Sequence, residues 1–254
     1  MSRPFVLVQL SDPHIGADWA PGDPVAGLAA AIASVRRLRP PPDAVLVSGD
    51  LADRAWDAEY AQVVSLLEPL DAPHYVLCGN HDDRDALRRH FGPPGPAGAP
   101  LQYTADLGAL RLVVLDSTIP GADAGVLGPD RLAWLDRVLA ADRNTPTVLA
   151  MHHPPLATHV PALDAVGLAD PDRAGLAGVV GGHANVALIV GGHFHRAISG
   201  ELAGHRVLVA PSTYAGFALE LASDGVEPMA TPPGYVVHVL RDGTLVSHIE
   251  PVQT

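Results

Sequence analysis

Five short polar clusters in this chain carry side chains that ligate metals or move protons. They are Asp12-Pro13-His14, Gly49-Asp50, Gly79-Asn80-His81-Asp82, His152-His153-Pro154 and Gly192-His193-Phe194-His195. Carboxylates, an amide oxygen and imidazoles are the donors that borderline divalent cations take, and there are enough of them for two ions. Asp12 and His14 stand two apart, as do His193 and His195. In extended chain, residues at i and i+2 point to one side, so each pair is expected to reach one ion. Singly, each cluster has an ordinary reading: an Asp that caps a turn, or a histidine satisfied in the core. Asp82, for example, stands where it would cap a helix starting at Arg84.

The elements that must position these clusters are legible as apolar runs. Phe5–Leu10, Ala44–Val47, Tyr75–Cys78, Val148–Met151 and Ala187–Val190 read as buried strands, and each ends at a cluster. Helical patterns follow at about 25–38, 57–70 and 84–91, and further on at about 129–141 and 170–180. Alternation of strand and helix argues for a mostly parallel sheet, and ligands bind beyond the carboxyl ends of such strands. Gln102–Leu107 and Leu110–Leu115 flank Gly108-Ala109 and read as a hairpin. After His195 the rhythm changes. Ile198–Leu202, Arg206–Ala210, Ala218–Leu221, Tyr235–Leu240 and Thr244–Ile249 read as strands without helices between them, an antiparallel tail. The expected fold class is α/β, two mixed sheets with helices outside.

At 254 residues the chain suits one domain spanning 1–254, and its 48 % hydrophobic content can fill a large core. No apolar run reaches the roughly 18 residues that span a bilayer, and the start lacks a signal-peptide core, so a cytoplasmic protein is expected. The single cysteine, Cys78, excludes an internal disulfide and reads as a small buried hydrophobe. The formal charge is −12, which disfavours long nucleic acid as a partner, since phosphate backbones need a basic stripe.

The five clusters together, in this order, resemble the signature of the calcineurin-like metallophosphoesterases. Leu10-Ser11-Asp12, Gly49-Asp50-Leu51-Ala52-Asp53, Gly79-Asn80-His81-Asp82-Asp83 and His152-His153-Pro154-Pro155 look most like the class III cyclic-nucleotide phosphodiesterases and the bacterial glycerophosphodiesterases. Purple acid phosphatases carry a tyrosine three residues after the bridging aspartate, where this chain has Asp53. The resemblance implies a four-layer α-β-β-α sandwich. It also implies that Asp12, His14 and His195 hold one metal, Asn80, His152 and His193 the other, and that Asp50 bridges both. The cofactors implied are two divalent ions (Mn, Fe, Zn or Co) about 3.5–4 Å apart with a bridging hydroxide that attacks phosphorus in line. Two such ions against Asp12, Asp50 and a hydroxide leave one net positive charge, which suits a monoanionic diester. His81 is then the general acid, Asp53 the carboxylate that orients it, and Asn80, His81 and His195 contact substrate. His153 is left outside the ligand set.

The expected activity is hydrolysis of a small-molecule phosphodiester, a 3′,5′-cyclic nucleotide such as cAMP. A glycerophosphodiesterase and a phosphomonoesterase or nucleotidase are the alternatives, and a non-enzymatic scaffold is disfavoured because every ligand position is filled. Specificity is expected from the loops 16–23, 118–128, 154–168 and 212–233. The last is expected to act as a cap or an oligomer contact, since relatives self-associate.

Overall fold

The computed structural model describes residues 3–252. β1 (Phe5–Leu10) and β2 (Ala44–Val47) run parallel, as do β2 and β3 (His74–Val76). The residues of β1 and β2 are almost entirely buried, because both faces are covered, one by helices and one by the second sheet; His74 and Tyr75 of β3 are half-buried. β12 (Gly234–Arg241) adds antiparallel to β1, and β13 (Thr244–Pro251) completes a five-stranded sheet in the order β13-β12-β1-β2-β3.

The second sheet has six strands. β4 (Tyr103–Asp106) and β5 (Arg111–Val114) form the expected hairpin. β6 (Thr147–Ala150) and β7 (Val186–Gly191) follow in parallel. β9 (His205–Val209) and β8 (Ile198–Leu202) close the far edge.

Helices flank both sheets. α1 (Pro24–Val35), α2 (Asp57–Leu67) and α3 (Arg84–Phe91) contribute Leu28, Ile32, Tyr60, Val63 and Leu87 to a core that includes the first sheet. α4 (Gly128–Ala141), α5 (Pro161–Val166) and α6 (Asp170–Val180) contribute Leu135, Leu139, Leu163, Leu176 and Val180 to a core against the second. The result is the α-β-β-α sandwich of two mixed sheets. Local signals set the helix starts. Asp23 accepts from the amides of Val25 and Ala26 with Pro24 in the first turn, which satisfies donors the helix itself leaves free. Gly92, left-handed at φ 70°, ends α3.

Four expectations change. Asp83, not Asp82, caps α3, accepting from Ala86 N at 2.7 Å. The tail is not simply antiparallel: β9 pairs parallel with β7, while β12 and β13 cross to the other sheet. Ala218–Leu221 is not a strand. Leu219 and Leu221 are exposed there, and β10 (Gly216–Phe217) joins β11 (Pro228–Met229) as a two-stranded ribbon that reaches this segment by one bond, Ala218 N to Glu227 O. The loop expected at 154–168 contains α5. Among the described residues no helix is long and apolar enough to cross a membrane.

Candidate metal centre

The carboxyl ends of β1, β2 and β3 from one sheet and of β6 and β7 from the other meet at one rim. Each ends in one of the five clusters. The backbone there is unusual. Asp12, His14, Asp50, His193 and His195 all have positive φ, between 45° and 69°. Such residues cost about 1–3 kcal/mol each and persist only where surrounding packing holds them. Asp12 and His14 therefore converge through two left-handed residues around Pro13, not through the pleat of a strand. Gly79 carries no side chain because a Cβ would lie 2.1 Å from Asp50 Oδ1.

Two sets of donor atoms result. Asp12, His14, Asp50 and His195 present atoms within 4.8 Å of one another. His14 Nε2 lies 3.1 Å from His195 Nε2 and 3.4 Å from Asp50 Oδ2. On the other side of the same carboxylate, Asp50 Oδ2 lies 3.2 Å from His152 Nε2, which is 3.0 Å from Asn80 Oδ1. His193 packs beside them, its ring centroid 5.0 Å from that of His152. Asp50 is thus common to both sets.

The second nitrogen of each ring is already committed. His14 Nδ1 donates to Asp53 Oδ1 (3.1 Å), His152 Nδ1 to Ser48 O (2.9 Å) and His195 Nδ1 to Ala215 O (2.9 Å). His193 Nε2 donates to Val166 O at 3.0 Å, which leaves its Nδ1. The lone pairs of His14 and His195 consequently face each other, and that of His152 faces two oxygen acceptors. Only a proton or a cation between such atoms relieves the repulsion. Ligands about 2.0–2.1 Å from one ion at tetrahedral or octahedral angles lie roughly 2.8–3.4 Å apart, which spans the His14–His195, His14–Asp50, Asp50–His152 and His152–Asn80 spacings. The donor set fits a pair of divalent cations.

The electrostatics agree. Burial raises the Asp50 carboxyl, but the facing imidazoles of His152 and His14 overcome it and hold the group well below the usual carboxylate range. Burial pushes Asp12 up to about 6. Burial lowers His152, but Asp50 outweighs it and carries the imidazole up to about 9. His193 and His195 lie well below the ordinary histidine value, through burial and then through neighbouring imidazoles. The site concentrates negative charge that is balanced by protons on some imidazoles and withheld from others, as a cation-binding cluster requires.

His153, outside the expected ligand set, has both nitrogens committed. Nδ1 accepts from Ser117 Oγ at 2.8 Å and Nε2 donates to Asp123 O at 2.9 Å. It buttresses His193, ring centroids 4.4 Å apart, and burial keeps it neutral by lowering its pKa to about 3. His81 lines the cleft. Its amide donates to Asp50 Oδ1 at 2.9 Å and its Nδ1 donates to the Asp53 backbone carbonyl at 2.9 Å, so Nε2 faces the cleft. The Asp53 carboxylate is 3.7 Å from His81 Nδ1; its hydrogen bonds go to His14 and, at 2.9 Å, to Trp19 Nε1. Asp82 is buried and accepts from the amides of Leu51, Ala52 and Gly79, tying the second cluster to the third.

The cleft above the donors holds about 520 Å³. One wall is aromatic. Phe217 stacks on His195 with centroids 4.7 Å apart, and on Trp19 at 5.9 Å. Tyr214 Oη donates to Ala20 O at 2.8 Å, which staples the Trp19 loop to the tail. Asp224, Val226 and Pro228, from the loop between β10 and β11 and from β11 itself, reach the same cleft. His159 is exposed and does not line it.

Residues 5–197 match the family model described as calcineurin-like phosphoesterase. The chain belongs to the calcineurin-like phosphoesterase family. Within the family it is similar to a cAMP/cGMP dual specificity phosphodiesterase of Mycobacterium tuberculosis, 34 % identical over 98 % of this chain and 80 % of the relative. It is also similar to a probable glycerophosphodiester phosphodiesterase of Arcobacter nitrofigilis, 30 % identical over 92 % of this chain and 88 % of that one. A dimetal phosphatase from Danio rerio shares the fold, with a TM-score of 0.73, 14 % identity and 99 % of this chain and 98 % of that one covered.

Trp19 was legible only as part of a loop, and Phe217 only as one aromatic residue of the tail. Neither has motif context; their meeting depends on the tail returning across the rim.

Proposed function

We propose that this phosphoesterase hydrolyses a small phosphodiester with two divalent ions, with a 3′,5′-cyclic nucleotide such as cAMP as substrate. The observation that carries the dinuclear reading is Asp50 Oδ2, 3.4 Å from His14 Nε2 and 3.2 Å from His152 Nε2. Asp12, His14 and His195 would hold one ion, Asn80, His152 and His193 the second, and Asp50 would be shared by both. Such ions, of the Mn, Fe, Zn or Co type that suits this imidazole-rich donor set, would supply Lewis acidity toward phosphoryl oxygen and a water acidic enough to act as nucleophile near neutral pH.

The chain's own residues do the rest. His81, tethered through Nδ1, holds Nε2 toward the leaving oxygen and donates a proton to it. Asn80 and His195 border the phosphoryl group beside His81. The Asp53 carboxylate holds the His14 imidazole, and its carbonyl holds His81. Trp19 and Phe217 offer a flat apolar wall on which a nucleobase packs, and residues 212–233 act as the cap over it.

The names of the relatives and this wall together favour the cyclic nucleotide. Glycerophosphodiester hydrolysis is the second reading, supported by the Arcobacter relative and by the exposed carboxylate of Asp224 at the cleft, which suits a cationic alcohol. A cytoplasmic location and self-association belong to the same reading through family likeness. The test is a turnover screen after reconstitution with Mn, Fe, Zn and Co, across cAMP, cGMP, 2′,3′-cyclic nucleotides, glycerophosphodiesters and phosphomonoesters. Preference for the cyclic 3′,5′-diesters is expected. Turnover confined to monoesters overturns the proposal.

A further inference from the structure

A line of polar side chains crosses the otherwise apolar space between the two sheets and ends on Asp12. His238 on β12, Gln9 on β1, Ser48 after β2 and Ser11 after β1 are all at most 2 % exposed. Ser247 Oγ on β13 lies 2.8 Å from His238 Nδ1, and His238 Nε2 lies 3.1 Å from Gln9 Oε1. Gln9 Nε2 donates to Ser48 Oγ at 2.8 Å, Ser48 Oγ contacts Ser11 Oγ at 2.7 Å, and Ser11 Oγ donates to Asp12 Oδ2 at 2.6 Å.

The two ends fix every proton between them. Gln9 Nε2 also lies 2.9 Å from the Gly191 carbonyl, which only accepts, so the amide nitrogen points there and Oε1 faces His238. His238 must then donate through Nε2 and accept from the Ser247 hydroxyl through Nδ1. At the other end an ionised Asp12 only accepts, so Ser11 donates to it and accepts from Ser48, which in turn accepts from Gln9; the Leu10 carbonyl, 3.2 Å from Ser48 Oγ, is the longer of the two acceptors within that hydroxyl's reach. All five donors point toward the carboxylate. Hydrogen bonds aligned head to tail in a dry interior polarise and strengthen one another.

The surroundings are shaped for this contact. A Cβ on Gly192 would lie 2.2 Å from Ser11 Oγ and 2.8 Å from Asp12 Oδ2. Oδ2 is engaged by Ser11; Oδ1 accepts from the His193 amide at 3.0 Å and is the oxygen turned toward His195 Nε2, at 3.7 Å.

We propose that Ser247, His238, Gln9, Ser48 and Ser11 form a directed hydrogen-bond line that positions the Asp12 carboxylate and strengthens cation binding at Oδ1. They are positioning residues, acting through Asp12, and the inference rests on the reading of Asp12 as a metal ligand.

The test is calorimetric titration of chelator-stripped full-length protein with Mn²⁺, for Ser11→Ala, Gln9→Met and the double variant. Removing an outer hydrogen-bond partner of a ligand typically weakens metal affinity about 10–100-fold, which is expected for Ser11→Ala; Gln9→Met, two bonds further out, is expected to weaken it roughly threefold to tenfold. In the Ser11→Ala background Gln9→Met should add nothing, because the line is already cut. Additive losses, or unchanged affinity in Gln9→Met, overturn the proposal, since a purely packing role couples to stability and not to Ser11. Should Gln9→Met fail to fold, Ser247→Ala at the half-buried far end takes its place, with the same loss of effect behind Ser11→Ala. Asp12→Ala separates the two readings. If that variant binds two Mn²⁺ as tightly as the wild type, the ligand assignment has failed; if it loses one ion while Gln9→Met binds normally, only the line has failed.

Discussion

The Asp53 carboxylate hydrogen-bonds His14 and stands off from His81 at ion-pair distance. Oδ1 accepts from His14 Nδ1 at 3.1 Å, whereas His81 Nδ1 reaches the Asp53 main-chain carbonyl at 2.9 Å and the carboxylate only at 3.7 Å. One residue therefore serves two neighbours with two different atoms. Removing the side chain should disturb His14, and Trp19 whose Nε1 donates to the same oxygen, while the main-chain bond to His81 stays in place. Asp53→Ala is expected to weaken metal binding about 10–100-fold, the usual effect of losing an outer partner of an imidazole ligand. The ratio of rates on good and poor leaving groups should stay that of the wild type. Metal titration together with a comparison of nitrophenyl and alkyl diesters checks both halves; a collapse of that ratio would return the carboxylate to His81.

Asp50 is common to both donor sets. Asp50→Ala should therefore abolish paired metal binding and hydrolysis together. Metal content by elemental analysis, with turnover on the same preparation, is the measurement. Near-wild-type turnover in this variant would sink the dinuclear mechanism.

His81 offers Nε2 to the cleft while its other nitrogen is tethered. His81→Ala should keep both metals and slow alkyl-diester cleavage by about 10²–10⁴-fold, the usual worth of a positioned acid. Nitrophenyl diesters, whose leaving group needs little protonation, should lose far less. Equal losses on both would remove His81 from that role.

The aromatic wall makes a specificity prediction. Stacking a base on an aromatic side chain is worth about 1–3 kcal/mol, so Trp19→Ala or Phe217→Ala should raise KM for cAMP by roughly 5- to 150-fold. Glycerophosphoethanolamine, with no base, should be much less affected. Steady-state kinetics on the two substrates separate the readings, and equal shifts would show that the wall does not meet a base.

His238 predicts an acid-labile step in stability. Burial, then the nearby Arg206, lowers its pKa to about 3. The unfolded chain, with a pKa of about 6.5, binds the proton first, so the folded state loses stability as pH falls from about 6.5 toward 3. Between pH 6.5 and 5 this group alone should account for roughly 1.5 kcal/mol. Denaturant unfolding in chelator at the two pH values should give a shallower loss in His238→Gln. An identical slope in the variant would show that this imidazole is not held neutral.

The five clusters and the order of their strands were legible because ligand types sit directly behind apolar runs, where local pattern and function coincide. The helix at Asp170–Val180 and the strand at Phe5–Leu10 were equally plain, since periodicity and turn residues agree there. Other features left no local trace. Ala218–Leu221 alternates like a strand, yet past Phe217 the β10–β11 ribbon continues by only one bond, Ala218 N to Glu227 O. Asp53, in the second cluster, was expected to orient His81 of the third, but its carboxylate hydrogen-bonds His14 of the first, 39 residues away. Gln9 and His238 are 229 residues apart and meet only because β12 returns beside β1. Sequence alone thus determined the donor types, their order and the strand ends that carry them. Tertiary structure decided which atom of each side chain faces the site, because that choice depends on where the second nitrogen or oxygen finds its partner, and those partners arrive from distant strands.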